Sequence, residues 1–314
     1  APDLLTTICL ATEAPIALAP AMNHVMWSNP ATQSNREVLE ERGIHIIGPE
    51  VGSQACGETG AGRMLKTDLI AATVFNLTGG KGEGLLEGRT VVVTAGPTRE
   101  AIDPVRYITN RSSGKMGYAI ASAAAAQGAS VILVSGPVNV SEPPGIDMVN
   151  VESAEEMYAA THEAISDADI FIAAAAVADY RPTDILQQKI KKNNEGMSLE
   201  LVRCPDILAS VAALDAPPFT VGFAAETENV IKYARSKLEK KKLDMIVANR
   251  VGRDCGFDYD ENTANALWCD GEKAFPKSSK VDLARKLIEL VAEHFYAVSA
   301  SETQPKLTII SNND

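Results

Sequence analysis

The chain has 314 residues, 46% hydrophobic and 22% charged, which is enough apolar surface to fold and enough length for two ordinary domains. A net charge of −12, with no long basic stripe interleaved with aromatics, makes nucleic acid a poor partner but leaves room for a small anion in a local basic pocket. No apolar run approaches the roughly 18 to 20 residues that cross a bilayer, and the five cysteines are scattered without CxxC spacing, which fits a reducing cytoplasm and argues against a disulfide framework or a zinc site.

In chain order, residues 4–77 predict a partial α/β unit: an apolar helix-like start, a strand at Pro15–Leu18, an amphipathic helix at Thr32–Arg42, a strand at Ile44–Ile47 and a helix at Thr67–Leu77. The chain starts Ala-Pro-Asp-Leu-Leu, and its first apolar stretch has no preceding partner strand, so N-terminal sequence is expected to be missing. The run Thr78-Gly-Gly-Lys-Gly-Glu-Gly suits no buried element and reads as a linker, which places a domain boundary there.

Beyond it, β-branched runs at Thr90–Thr94, Ser130–Val134, Ile170–Ile172, Thr220–Gly222 and Met245–Ala248 predict strands. Helical patterns at Gly114–Gln127, Ala154–Ser166, Asp206–Leu214 and Val230–Lys242 lie between most of them. Strands separated by helices need crossover connections, so a mostly parallel, doubly wound sheet is expected. A hairpin-like region at Asn265–Phe275 and an amphipathic helix at Val281–Tyr296 close the fold, and a polar, frayed tail is expected from Ser299 to Asp314.

Two segments of this second region carry chemistry. Val91-Val-Val-Thr-Ala-Gly-Pro-Thr-Arg-Glu is a buried strand running into a turn at Gly96, and in a doubly wound sheet such turns floor a nucleotide site. A plain strand-to-loop turn explains it equally well. Asp103-Pro-Val-Arg-Tyr-Ile-Thr-Asn-Arg-Ser-Ser-Gly-Lys-Met-Gly precedes an alanine-rich helix; small residues at Ser112, Ser113, Gly114 and Gly117 leave N–H groups open at a helix N-terminus, and Lys115 adds charge, so phosphate can sit there. The spacing is neither a Walker A loop nor GxGxxG, and a glycine turn chosen for close helix–sheet packing is the other reading.

These blocks, followed in order by Ala173-Ala-Ala-Ala-Val-Ala-Asp-Tyr, Lys189-Ile-Lys-Lys, Pro205-Asp-Ile and Gly222-Phe-Ala-Ala-Glu-Thr, resemble the ligase half of bifunctional coenzyme A biosynthesis proteins over nearly all of 88–295. The resemblance implies a Rossmann-like ligase domain at 88–298, dimeric in the family, after a linker at 79–87 and before the tail at 299–314. It also implies the reaction. The carboxylate of 4'-phosphopantothenate attacks the α-phosphate of CTP, giving an acyl-cytidylate and pyrophosphate; the amine of L-cysteine then displaces CMP. Bringing two anions together needs cations and fixed donors. On this resemblance Lys189 serves the triphosphate, Asp179 holds Mg2+ or orients the nucleotide, Asn110 holds the acyl-cytidylate carbonyl and Arg106 suits the substrate's carboxylate or phosphate. Gly96, Ser112, Ser113, Gly114, Lys115, Ala174, Ala175, Pro205 and Phe223 join the CTP site, with Lys237 and Lys241 sharing one helix face. Without the resemblance, Lys189, Lys191 and Lys192 read as a solvated run, Phe223 as core, and Lys237 and Lys241 as an exposed helix face.

The first region resembles the other half of the same proteins, the C-terminal part of a flavodoxin-like, FMN-dependent phosphopantothenoylcysteine decarboxylase at 1–78. Pro20-Ala-Met-Asn-His-Val-Met-Trp matches the PxMNxxMW signature, and Gly52-Ser-Gln-Ala-Cys-Gly-Glu-Thr-Gly-Ala-Gly-Arg-Met resembles the substrate-covering flap. That implies Asn23 on the substrate carboxylate and Cys56 as the acid that reprotonates the product; a buried inert thiol is the alternative for Cys56. The family's catalytic histidine and the glycine-rich loop for the FMN phosphate have no counterpart here, His24 is not that histidine, and Pro2 stands where relatives commonly have Asn. Decarboxylation and flavin binding are therefore expected of a full-length parent and not of this chain. The competing readings are a Rossmann-like NAD(P) oxidoreductase, which lacks its GxGxxG, and a non-catalytic flavoprotein-like module.

Overall fold

The structure, a computed structural model, describes residues 3–54, 57–77, 84–191, 197–251 and 260–302. It divides into two compact units, Ala1–Gly82 and Glu83–Asp314.

In the first unit a helix at Leu4–Ala11 is capped by the Asp3 carboxylate, and strands at Ala17–Leu18 and His45–Ile46 pair in parallel on either side of a helix at Pro30–Glu41. The last helix occupies Thr67–Leu77, as the sequence pattern predicts. The segment that resembles the flap contains an antiparallel hairpin of Glu50–Ser53 with Thr59–Arg63. Its glycines let it lie flat on the Pro20–Trp27 segment: a Cβ on Gly60 would stand 2.6 Å from His24 Cβ, and one on Gly62 would collide with the Met22 carbonyl oxygen. The helices Leu4–Ala11, His24–Trp27 and Pro30–Glu41 contain no buried residue.

The second unit holds most of the core. Its sheet strands are β1 (Thr90–Ala95), β2 (Ser130–Ser135), β3 (Asp147–Asn150), β4 (Ile170–Ala173), β5 (Phe219–Glu226), β6 (Met245–Arg250), β7 (Glu261–Trp268) and β8 (Gly271–Ser279). Helices α1 (Lys115–Ala126), α2 (Ala154–Ala164), α3 (Ile207–Ala212), α4 (Val230–Lys241) and α5 (Lys280–Glu302) connect and cover them. The sheet order is β3-β2-β1-β4-β5-β6-β7-β8, parallel from β3 to β6 and antiparallel at β7 and β8. This is the doubly wound order of a dinucleotide-binding sheet with a hairpin added at one edge.

Strands covered on both faces read as continuous apolar runs, and β1 is the example. Val91 and Val93 join the core beneath α1 and α5, with Tyr118, Ile120, Leu283 and Ile288. Val92 faces the other way, onto α2 and α3, with Met157, Ile207 and Val211. Helix α4 covers β5 and β6 on that same side through Ala234 and Leu238. Full burial of side chains such as Phe171, Leu133 and Ile288 contributes about 1.5–3 kcal/mol each before the entropy cost.

Three features differ from the sequence expectation. Edge strand β3 and two antiparallel ribbons, Arg99–Asp103 with Arg106–Thr109 and Tyr180–Pro182 with Leu201–Arg203, carry no apolar run that marks a strand. Helix α5 continues to Glu302, so residues 299–302 are helical rather than a frayed tail; Ala297 and Ala300 favour the helix, and the Ser299 hydroxyl bonds the Phe295 carbonyl at 2.9 Å. Of the expected linker at 79–87, residues 79–83 lie outside the described residues, as does the tail beyond 302, while Leu86 is fully buried in the core of the second unit rather than in a linker.

Candidate nucleotide and acyl-activation site

Strand order reverses at β1: its neighbours are β2, reached through α1, and β4, reached from the far edge through α2. The loops leaving β1 and β4 therefore diverge above the sheet, and ligands settle in such crevices. A cavity of about 890 Å³ lies there, lined by Thr94 of β1, the segment 173–180 after β4, Phe223 and Ala225 of β5, and Val247 and Asn249 of β6. Its floor is stitched by backbone: Ala174 N–H donates to Thr94 O (3.1 Å) and Ala176 N–H to Gly96 O (2.8 Å). The Thr98 hydroxyl accepts from Ala178 N–H at 3.0 Å. Gly96 sits under this floor, not on the wall; its φ of +73° and the Gly136 carbonyl oxygen 2.8 Å from a built Cβ both demand glycine.

One end of the cavity is the start of α1. Gly114 caps it at φ +73° with no side-chain hydrogen bond to the first turn, so Ser112, Ser113 and Gly114 line the cavity beside unscreened helix amides. Asn110 locks this loop to the other: its Nδ2 donates to Val177 O at 2.9 Å and Ala176 O at 3.4 Å.

Lysines enter from both faces of the sheet, and each meets a carboxylate. Lys115 Nζ lies 2.9 Å from Asp260 Oδ1, Lys237 Nζ 2.7 Å from Glu226 Oε1, and Lys241 Nζ 2.8 Å from Asp206 Oδ2. Asp206 also caps α3 by accepting from Ala209 N–H at 3.1 Å. Burial alone would raise the Asp206 carboxyl, but the hydrogen bonds from Lys241 and Ala209 and the charges of Lys241 and Lys240 outweigh it and hold the group below its ordinary value of 3.8. A depressed carboxyl stabilises the fold fully above the unfolded pKa and loses that contribution as pH falls through the folded one. Asparagine keeps the cap but not the ion pair. Urea unfolding of wild type and Asp206→Asn should thus differ at neutral pH, with the gap closing only below about pH 3.8; a gap that stays constant through the acid range would remove the pair as its source.

Cys204 lines the same cavity, and burial, followed by the charge of Glu100, pushes its thiol up to about 11 against the opposing pull of Arg181. It stays protonated at neutral pH and makes a poor nucleophile.

Of the residues singled out by sequence, Asn110, Ser112, Ser113, Gly114, Lys115, Ala174, Ala175, Asp179, Pro205, Phe223, Lys237 and Lys241 all line this one cavity. Arg106 and Lys189 do not. Arg106 is spent in a clasp, its guanidinium 3.1 Å from the buried Asp103 carboxylate and 3.3 Å from Ile190 O, while Ile190 N–H donates to Asp103 at 3.1 Å. Asp103 is held below its ordinary value: burial opposes this, but the N–H groups of Ile190, Val105 and Arg106 and the Arg106 charge prevail. Lys189, beside Ile190, is exposed. Arg203, Asn249, Asn262 and Lys280 line the cavity without belonging to any motif singled out by sequence. Asp179 and Asp206 are acidic groups on the wall, and among the described residues no cluster of three or more metal-ligating side chains forms.

In the first unit Asn23 caps the short helix His24–Trp27 by accepting from Val25 N–H at 2.9 Å and donates to Glu58 Oε2 at 3.1 Å. Cys56 and Lys192 lie outside the described residues.

Comparison with known proteins follows the same division. The family model for the C-terminal domain of DNA/pantothenate metabolism flavoproteins matches residues 86–295, and the flavoprotein model matches residues 2–79. The chain is 53% identical over 295 residues to the coenzyme A biosynthesis bifunctional protein CoaBC of Vibrio parahaemolyticus, covering 93% of this chain and 73% of the relative. The protein of that name from Haemophilus influenzae is 51% identical over 294 residues, with 93% and 73% covered. The crystal structure of the C-terminal domain of a CoaBC protein superposes with a TM-score of 0.59 at 40% identity, over 68% of this chain and 99% of that one. The expected N-terminal truncation is not borne out, since the flavoprotein match already takes in residues 2–79.

Proposed function

The chain belongs to the family of coenzyme A biosynthesis bifunctional proteins, and from that membership we propose that the cavity of its second unit activates 4'-phosphopantothenate with CTP. The enzyme works in coenzyme A biosynthesis, joining phosphopantothenate to cysteine, and the family also decarboxylates the product. The NAD(P) oxidoreductase reading is not favoured.

The observation that carries the site reading is convergence. The open amides of α1, the Asn110 clamp and lysines from both sheet faces meet in one crevice at the strand-order reversal. Its size is that of a small-molecule site, for which roughly 300–1,000 Å³ is usual. In this reading Ser112–Lys115 take phosphate oxygens, Phe223 and Pro205 flank the base, and Lys237 and Lys241 supply charge from α4. Asn110 holds the carbonyl of the acyl-cytidylate. Asp179 provides the one or two protein ligands that Mg2+ customarily takes beside substrate phosphates. Lys189, anchored next to the Asp103–Arg106 clasp, reaches the triphosphate from outside the wall, and Arg106 positions that segment. Domain limits of 1–78, 88–298 and a linker between them complete the proposal.

A homodimer through the second unit is part of the same reading. The two ribbons and the segment between them present Val105, Tyr107, Tyr180, Ile185, Leu186 and Leu201, each at least 43% exposed, a patch of the kind that marks an interface. No helix among the described residues is long and apolar enough to cross a membrane. With Cys9, Cys204 and Cys269 all free, we place the enzyme in the cytoplasm.

For the first unit, FMN is the cofactor that flavoprotein membership implies. Three of the helix starts in that unit do not fit its phosphate. The helix N-termini at Leu4, His24 and Pro30 are already capped by the side chains of Asp3, Asn23 and Asn29, which take a first-turn amide at each, and at Asp3 the carboxylate also repels phosphate. No step is assigned to flavin here.

A nucleotide panel tests the site. CTP, but not NAD(P), should raise the melting midpoint, by the equivalent of about 2.7 kcal/mol at a hundred times Kd. With phosphopantothenate, cysteine and Mg2+ it should yield amide, CMP and pyrophosphate. Product formed equally well with NAD(P), or none with any nucleotide, would sink the proposal.

A further inference from the structure

4'-Phosphopantothenate carries an anion at each end, the carboxylate that reacts and a phosphate monoester, and the second still needs a receptor in this cavity. Arg106, which the resemblance offers for that work, is held by Asp103 and Ile190. The cations of the cavity wall that solvent reaches fall into two groups. Lys115, Lys237 and Lys241 each lie 2.7–2.9 Å from a carboxylate. Arg111 and Arg203 do not: among the described residues neither guanidinium has an ion pair or a side-chain hydrogen bond. In a chain with 41 acidic and 29 basic residues, carboxylates are plentiful enough that an open guanidinium on a cavity wall is not the default.

Position separates the two arginines. Arg203 ends the strand Leu201–Arg203, in register with Tyr180 of the facing strand. Residues paired in this way put their side chains on one face of the ribbon, and both of these line the cavity. Cys204 N–H donates to Asp179 O at 2.9 Å, which fixes the strand end against the segment after β4. That segment begins at the clamp, where Asn110 donates to Val177 O, three residues before Tyr180. Three residues of chain reach at most about 11 Å. The substrate has the same reach: from its carboxylate carbon to its phosphorus run as many bonds as in three residues of extended backbone, about 10–11 Å. With the carbonyl at Asn110, the phosphate therefore arrives in the neighbourhood of Arg203. Arg111 follows Asn110 directly and belongs to the end where the carboxylate reacts. The exposure of Arg203 suits a receptor at the mouth, and the planar fork of a guanidinium matches phosphate oxygens two at a time.

Resting on the CTP reading above, we propose that Arg203 binds the phosphate monoester of the acyl substrate, at the end of the cavity wall away from the reacting carboxylate.

The test separates the acyl substrate from the nucleotide. Pyrophosphate release is measured against phosphopantothenate and against CTP for wild type, Arg203→Gln, Arg203→Lys and Arg111→Gln, with melting midpoints alongside. Arg203→Gln should raise KM for phosphopantothenate about tenfold to a hundredfold, the worth of a lost charge-assisted contact, while kcat and KM for CTP stay within about twofold. Lysine should recover part of the loss, because it returns the charge without the fork. Melting midpoints should hardly move, since an exposed side chain contributes little to the fold. An unchanged KM for phosphopantothenate, an equal rise in KM for CTP, or the effect appearing in Arg111→Gln instead would each overturn the inference. Wild type that releases no pyrophosphate with CTP and phosphopantothenate overturns the site reading and this inference with it, a result distinct from the other three.

Discussion

Replacing Asn110 with aspartate is expected to lower the rate of CTP-dependent acyl activation by about two to three powers of ten, the usual cost of removing a fixed donor from a site of developing negative charge. The amide donates to two carbonyls, Val177 O and Ala176 O, and so joins the loop after β1 to the loop after β4. Aspartate would set a carboxylate against those oxygens and add a negative charge where one anion already has to approach another. Loop separation alone should cost the fold about 1–3 kcal/mol. Asn110→Ala separates the two effects, since it loses the clamp without adding charge and should retain more activity. Pyrophosphate release is the readout; an aspartate variant within tenfold of wild type would remove Asn110 from the chemistry.

The largest expected loss of stability belongs to Gly114→Ala. The residue caps α1 at φ +73°, which a side chain adopts only at a cost of about 1–2 kcal/mol, and the new Cβ would stand 2.5 Å from Val138 Cγ1. Crowding of that kind adds about 1–3 kcal/mol. A total of about 2–5 kcal/mol corresponds to a fall of roughly 4–20 °C in melting midpoint for a domain of this size. Combining it with Val138→Ala relieves the crowding but not the backbone strain, so the double variant should recover only part of the loss. Scanning calorimetry checks both values, and an unshifted single variant would show that the turn is not held in that conformation. CTP affinity should fall in the single variant too, because the turn sets the direction of the amides beyond it.

Much of this was legible in the sequence, for reasons that can be named. Runs such as Val91–Val93 and Ile170–Ile172 announce strands covered on both faces, and Ser112–Lys115 announces a helix start. Both lie where the pattern places them. The ribbons at 99–109 and 180–203 were not legible, because their side chains are half exposed and follow no period that burial imposes. Strand order was not legible either, since a crossover says that two strands are parallel but not which lie side by side. At the site two lysines show what a local pattern leaves open. Lys280 opens a helix whose sequence, Lys-Val-Asp-Leu-Ala-Arg-Lys, looks like an ordinary amphipathic surface, so nothing local distinguishes a buried ammonium from a solvated one. Lys189 stands in a charged block, and the family resemblance drew attention to it, yet the wall of the cavity is built without it.

The pairing of Lys115, Lys237 and Lys241 with Asp260, Glu226 and Asp206 has a consequence for selectivity. Each of these three lysines arrives with an internal counter-ion, so an incoming anion must compete with carboxylates already in place. A singly or doubly charged ion such as orthophosphate can open one pair at most, and it returns little of what that pair loses. A nucleoside triphosphate spans both ends and can exchange with several pairs together, each displaced carboxylate becoming available to a divalent cation or to water. The pairs therefore weigh against ligands of low valence, and a polyvalent anion gains most from displacing them.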